Sequence, residues 1–256
     1  MRGFWAYLKK EIWEQVVTYK VLIICTLFFL MGIISPIGAK YAAEVIAVLT
    51  DESISIQLPD PTYVDAFVQF FKNMSQLGVI VFVIIFSNIL GQELTKGTLI
   101  IPISKGLTLR AVMNAKFVSL LFSWTVSLLV SFAACVVYTK MLFPGLQMDG
   151  VAPLLLGMWI FGMFLSTLII FANVICKGGY ISLLLVGGCV GLLFLLSVLP
   201  GVKEFCPLNL VNLDVASAIV NQNVNFWKSG IVTCIVMLVL MVVSNIRVCS
   251  KGEYCN

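Results

Sequence analysis

The sequence predicts an all-α integral membrane protein. Hydrophobic residues make up 61% of its 256 and charged residues only 11%, whereas soluble domains carry about 25% charged residues. Mean hydropathy is +1.07. Six long apolar runs free of Asp, Glu, Lys and Arg each approach the length of about 20 residues with which a helix crosses hydrocarbon. The net charge of +4 forms no basic stripe and no aromatic-basic alternation, which argues against nucleic acid as a partner. One membrane domain over residues 1–256 is expected.

Residues 1–20 predict an amphipathic interfacial helix. Trp5, Leu8, Ile12, Trp13, Val16 and Val17 gather on one broad face, with Lys10, Glu11, Glu14 and Gln15 on the other. Trp at the headgroup level and a snorkelling Lys9 suit a helix lying on membrane lipid, as a surface anchor or as a contact for another protein. The first span is expected over 21–39. The acidic stretch 40–76 then reads as an outer loop, in which Asp60-Pro61 resembles an N-cap and first helical residue. Val64, Phe67, Val68, Phe71 and Met74 follow at helical spacing, for packing on neighbouring spans or for lining an apolar exit.

The second span is expected over 77–91 and the third over 117–139, separated by a polar segment, 92–116. Ser119, Ser123, Ser127, Ser131 and Cys135 repeat every four residues along the third span. Such a stripe serves close helix packing or lines a translocation path. Gly187 and Gly191 in the fifth span allow similar approach. The fourth, fifth and sixth spans are expected over 151–176, 180–199 and 230–246. Before the last, 200–229 is broken by Pro200, Gly201 and Pro207 and rich in asparagine, which predicts a short helical re-entrant or surface segment.

Six spans place both termini on one side. That side then carries eleven Lys and Arg and the other five, together with eight of the twelve acids, so the termini and the 92–116 segment are expected to be cytoplasmic. Only Cys206 falls in an outer loop, so no intrachain disulfide is expected. With no histidine and no close cysteine pair, no metal site is expected either.

Lys96-Gly97-Thr98 lacks the order of a phosphate-binding loop, which needs Gly, four residues, Gly-Lys and then Ser or Thr. No hydrolytic constellation is present, so the chain is expected not to be an enzyme. Uncharged spans also speak against an ion-coupled carrier with a carboxylate relay.

The order Glu93, Gly97-Thr98, Ser104-Lys105, Arg110 and Lys116 resembles the segment between the second and third spans of permease subunits of ABC-2-type transporters. The wider layout is similar too: a connecting helix, six spans and a broken segment before the last. The resemblance implies a coupling helix in 92–116 that docks on a separate cytoplasmic ABC ATPase, with ATP and Mg bound by that partner and no cofactor by this chain. It further implies a second permease copy, identical or paralogous, in a bacterial plasma membrane, and export by alternating access. Glu93, Gly97, Thr98, Ser104, Lys105, Arg110 and Lys116 would carry the coupling, with Glu93 and Arg110 pairing or meeting the ATPase. One departure is Gly106, where the family often has proline.

Apolar spans suit a hydrophobic or amphipathic cargo such as a peptide toxin, an antimicrobial peptide or a lipid-like molecule. Asn88, Ser123, Ser127 and Asn173 are candidates for a substrate path, against local satisfaction and helix packing. Two other readings stay open: an immunity or sensor subunit that binds antimicrobial peptides without moving them, and a sodium or drug efflux permease.

Overall fold

A computed structural model describes residues 2–49, 60–91, 93, 97–176, 180–199, 201–221 and 226–250. The described residues are all-helical, 84% helix with no strand, and among them six helices are long and apolar enough to cross a membrane. Helix α1 is Arg2–Val17 and α2, the first span, begins at Lys20 and runs to Leu49. Tyr19, in the left-handed region at φ 59°, turns the chain between them.

The second span is longer than the sequence suggested. Helix α3 (Tyr63–Asn73) passes through one π-helical turn, Met74–Gly78, into α4 (Val79–Phe86). The helix expected in the loop between the first two spans is therefore the first half of the second span itself. Its apolar stripe, Phe67, Phe70, Phe71 and Met74, is buried, which offsets the presence of Asp65 and Lys72 in a spanning helix. Its N-cap is Thr62, two residues after the expected position, whose N–H and hydroxyl both donate to Asp65, at 2.8 and 2.9 Å. The expected loop 40–76 thus narrows to a stretch lying mostly outside the described residues.

After the polar segment, with its short helix α5 (Ile100–Ser104), comes α6 (Leu109–Leu142), the third span, and then α7 (Val151–Cys176) and α8 (Tyr180–Ser197). At 34 residues, α6 is about 51 Å long against a hydrocarbon core of about 30 Å. It therefore extends beyond the apolar layer and carries Arg110 and Lys116 on its first two turns. The helix begins eight residues before the apolar stretch that opens at Phe117, because a helix needs no apolar residues once it leaves the lipid. The 200–229 segment is broken as expected. It holds short 3₁₀ turns at Lys203–Phe205 and Pro207–Leu210, then α9 (Val215–Asn221), before the last span, α10 (Trp227–Ser250). Leu208, Leu210, Val215 and Ile219 are buried, so this segment packs on the bundle, and Asp214 caps α9 by accepting the Ser217 N–H at 3.3 Å and its hydroxyl at 2.6 Å.

Trp124 on α6 sits at the centre of the core. Its ring meets Phe28 of α2 and Phe82 of α4 edge to face, at 5.6 and 4.9 Å, and lies over Gly162 of α7, where any Cβ would overlap the indole. One side chain thereby ties four spans. The fourth span is the most enclosed, 67% buried, against 11% and 17% for the fifth and sixth. These two present Leu184, Leu192, Leu195, Ile231, Leu238 and Val239 outward, as helices facing lipid do.

The serine stripe of α6 is turned into the contact with α1 and α2. Ser119, Ser123, Ser127 and Ser131 are wholly buried. The Ser131 hydroxyl donates to the Phe28 carbonyl at 2.6 Å, and Ser127 pairs with Cys25 at 3.3 Å. A Cβ on Gly32 would overlap the Ser131 carbonyl, so the two backbones meet there with nothing between them. This is packing, and it encloses Ser123 and Ser127 between helices.

Candidate functional site

The polar segment and α1 meet at one end of α6. There part of the polar face of α1 is turned into the bundle, and the Trp face is left bare. Glu11 and Gln15, from the face opposite the tryptophans, are 2% and 3% exposed, whereas Trp5 and Trp13 are 66% and 69% exposed. The inward stripe is Tyr7, Leu8, Glu11 and Gln15, a helical spacing that is apolar at one end and polar at the other. It turns inward because α6 offers partners. Gln15 donates to Ser119 at 2.9 Å and accepts from the Ser123 hydroxyl.

One turn earlier, Glu11 meets Lys116. The Lys116 ammonium lies 2.8 Å from Glu11 and 3.0 Å from Glu93, and the Lys116 and Glu11 side chains are only 2% and 3% exposed. Lys116 also donates to the Ile89 carbonyl at 3.4 Å. The Tyr7 hydroxyl donates to Glu93 at 3.2 Å. Lys10 lies 3.1 Å from both Glu11 and Glu93 and also pairs with Glu14. Burial pushes the Glu11 carboxyl up, but Lys116 and Lys10 together more than offset this and hold it below the usual carboxylate range. Burial raises the Tyr7 phenol, and the adjoining Glu11 and Glu93 charges raise it further, so it stays a hydrogen-bond donor. Oxygens of Glu11, Glu14 and Glu93 converge to within 4.8 Å, a grouping that would suit a cation, but two lysine ammoniums already lie among them.

The end of the second span is held by a second device. Asn173 of α7, wholly buried, donates to the Ser87 and Ile169 carbonyls at 2.7 and 2.8 Å and accepts the Gly91 N–H at 3.0 Å. It replaces the intrahelical bonds lost where the helix stops. Asn88, in the same turn, is half-buried. Asn88 and Asn173 therefore meet at the end of the second span, Asn173 reaching it from the fourth, whereas Ser123 and Ser127 lie in the seam between α1, α2 and α6.

From Gly97 the chain forms a small loop that exposes Ile101, Ser104 and Lys105 while Leu99, Ile103 and Leu107 pack on the core. Gly97 (φ 67°) and Gly106 (φ 84°) are both left-handed, which glycine adopts without strain, and α5 runs between them. The Thr98 N–H donates to the Glu93 carbonyl at 3.1 Å, and the Gly106 and Leu107 N–H groups close the end of α5 on Ile103 and Pro102 at 2.9 and 3.1 Å. Proline, with φ fixed near −65°, could not take the place of Gly106 in this turn. Thr108 caps α6, accepting the Ala111 N–H at 3.3 Å.

Gly97, Thr98, Ser104, Lys105 and Arg110 are exposed. Lys116 is not, and Glu93 is largely spent on Tyr7, Lys10 and Lys116, so the expected set divides into five outward residues and two inward ones. Sequence reasoning missed Tyr7, Glu11 and Gln15. Between α1 and the loop lies a cleft of about 660 Å³ lined by Lys10, Glu14, Lys20, Thr98, Pro102 and Lys105, among others. A second, largely apolar groove of about 750 Å³ lies between the second and fifth spans, with Val83 and Ile84 on one wall and Gly187 and Gly191 on the other.

These features define a multi-pass membrane protein with a charge-clamped polar loop at one end. No protein-family model matches the chain, and neither a curated protein nor a solved structure does.

Proposed function

We propose that the chain is the membrane-spanning permease subunit of an ATP-driven ABC exporter, with the α5 loop as the contact for a separate cytoplasmic ATPase. The observation that carries this reading is the loop itself. A five-residue helix, Ile100–Ser104, lies between two left-handed glycines with Thr98, Lys105 and Arg110 outward, while Leu99 is buried and Glu93 before it is clamped by Lys116. Such a loop has a surface to be pushed and a fixed connection along which the push travels.

The excess of Lys and Arg on the side of the termini supports a cytoplasmic position for loop and termini in a bacterial plasma membrane. The apolar groove between the second and fifth spans supports a hydrophobic or amphipathic cargo, a peptide toxin, antimicrobial peptide or lipid-like molecule, carried by a pair of such subunits. ATP and Mg belong to the partner.

The test is to purify the chain from its native membrane, identify the ATPase that accompanies it and measure hydrolysis. Arg110→Glu is expected to lower stimulated hydrolysis at least about tenfold, the loss of roughly 1.4 kcal/mol of coupling, with the bundle intact. Unchanged stimulation, or recovery of the chain without any ATPase, would overturn the reading.

A further inference from the structure

The loop descends covalently from the second span, yet its side-chain attachments lead elsewhere. Glu93 is bound by Tyr7 and Lys10 of α1 and by Lys116 of α6, and Leu107 packs so closely on Gly3 of α1 that a Cβ there would come within 2.9 Å of it. Lys116 even holds the last turn of the second span through the Ile89 carbonyl. From α6 the attachments continue along the seam, through Gln15 with Ser119 and Ser123, Cys25 with Ser127, and Phe28 with Ser131. The fifth and sixth spans share little of this enclosure.

We infer that Lys116 is the positioning residue by which Glu93 and the 97–107 loop are carried on the third span, so that α1, the first span and the third span move with the loop as one body. This rests on the proposed role of the loop, but its test needs no ATPase, so the two can fail separately. A buried ammonium shared by two carboxylates is suited to such a joint. Removing one partner leaves uncompensated charge in an enclosed site, so the contact is held tightly or lost as a unit.

Hydrogen exchange on the purified full chain in lipid nanodiscs reads the joint directly. Lys116→Met is expected to speed exchange of backbone amides in 98–107 at least about tenfold while those in 120–135 stay within about twofold, and Lys116→Arg is expected to restore slow exchange. Glu93→Gln, which leaves the Lys116–Glu11 pair in place, is expected to loosen 98–107 alone and decides the matter if Lys116→Met does not fold. Wild-type exchange over 98–107 in the folded variants, or equal acceleration over 120–135, would overturn the inference.

Discussion

At the scale of single residues, the consequential feature is a charge cluster whose members were visible in the sequence but whose partnership was not. Lys116 reads as one more basic residue on a positive side, and Glu11 as part of the polar face of an interfacial helix, because 105 positions separate them. The hint available was the run Tyr7, Leu8, Glu11, Gln15, whose spacing puts two polar residues on the same stripe as two that bury. Gly97 is left-handed, as a tight turn after a span requires. The cluster also carries a pH signature. The Glu11 carboxyl is held below its ordinary range in the folded protein, so its contribution is present above the unfolded carboxylate value of about 4.3 and is lost as pH falls through the lower folded value. Melting of the purified chain followed from about pH 8 to about pH 3 is expected to be flat down to about pH 5 with respect to this group, then to fall. In Glu11→Gln that acid limb is expected to shrink.

At the scale of elements, hydropathy located the apolar cores of the spans and misjudged where the helices end. The fourth span has the bounds its sequence predicts, 151–176, because Gly150 before it and Lys177 with two glycines after it punctuate the apolar run sharply. The second span is longer than its hydropathy implies because Lys72, Asn73, Ser75 and Gln76 dilute the average over a stretch that nevertheless has Phe67, Phe70 and Phe71 to bury. Asn73 donates to Ser35 of α2 at 2.9 Å, an internal partner no window average reports. Close backbone contact was likewise legible only as a pattern of small residues. The serine stripe is a packing seam, whereas a methyl group placed on Gly187 or Gly191 would meet no atom from elsewhere in the protein within 4 Å, and these two glycines instead open a groove. Gly32 is where the seam tolerates least. Gly32→Leu would drive a side chain into the Ser131 carbonyl, at a cost of about 1–3 kcal/mol for overpacking or separation of α2 from α6. A lowered melting temperature in detergent is expected, whereas Gly187→Leu is expected to leave it near wild type.

At the scale of the whole molecule, the spans fall into an enclosed group built on Trp124 and two peripheral helices, α8 and α10. This division was not readable from hydropathy, since the fourth, fifth and sixth spans share a value of 2.3 but differ widely in burial. What distinguishes them is the company each keeps: glycines such as Gly162 that admit another side chain, against the outward leucines of α8. Orientation belongs to this scale as well, because it follows from the sum of charges on the two sides and from no single residue. Reporter fusions after Asn256 and within the 144–150 turn are expected to report opposite sides, with the C-terminal fusion cytoplasmic. The reverse pattern would move the α5 loop out of reach of any cytoplasmic ATPase.

The π-helical turn at Met74–Gly78 gives the second span slack. Such a turn stores one more residue than an α-helix of the same length would hold. If that surplus is passed along the helix, each residue it crosses is re-aimed by about 100° while both ends of the span stay where Thr62 and Asn173 fix them. Ser75, Gln76 and Leu77, which border the groove facing the fifth span, are the first to be turned. The wall of that groove can therefore change its chemistry by rotation alone, with no sliding or tilting of the helix that carries it.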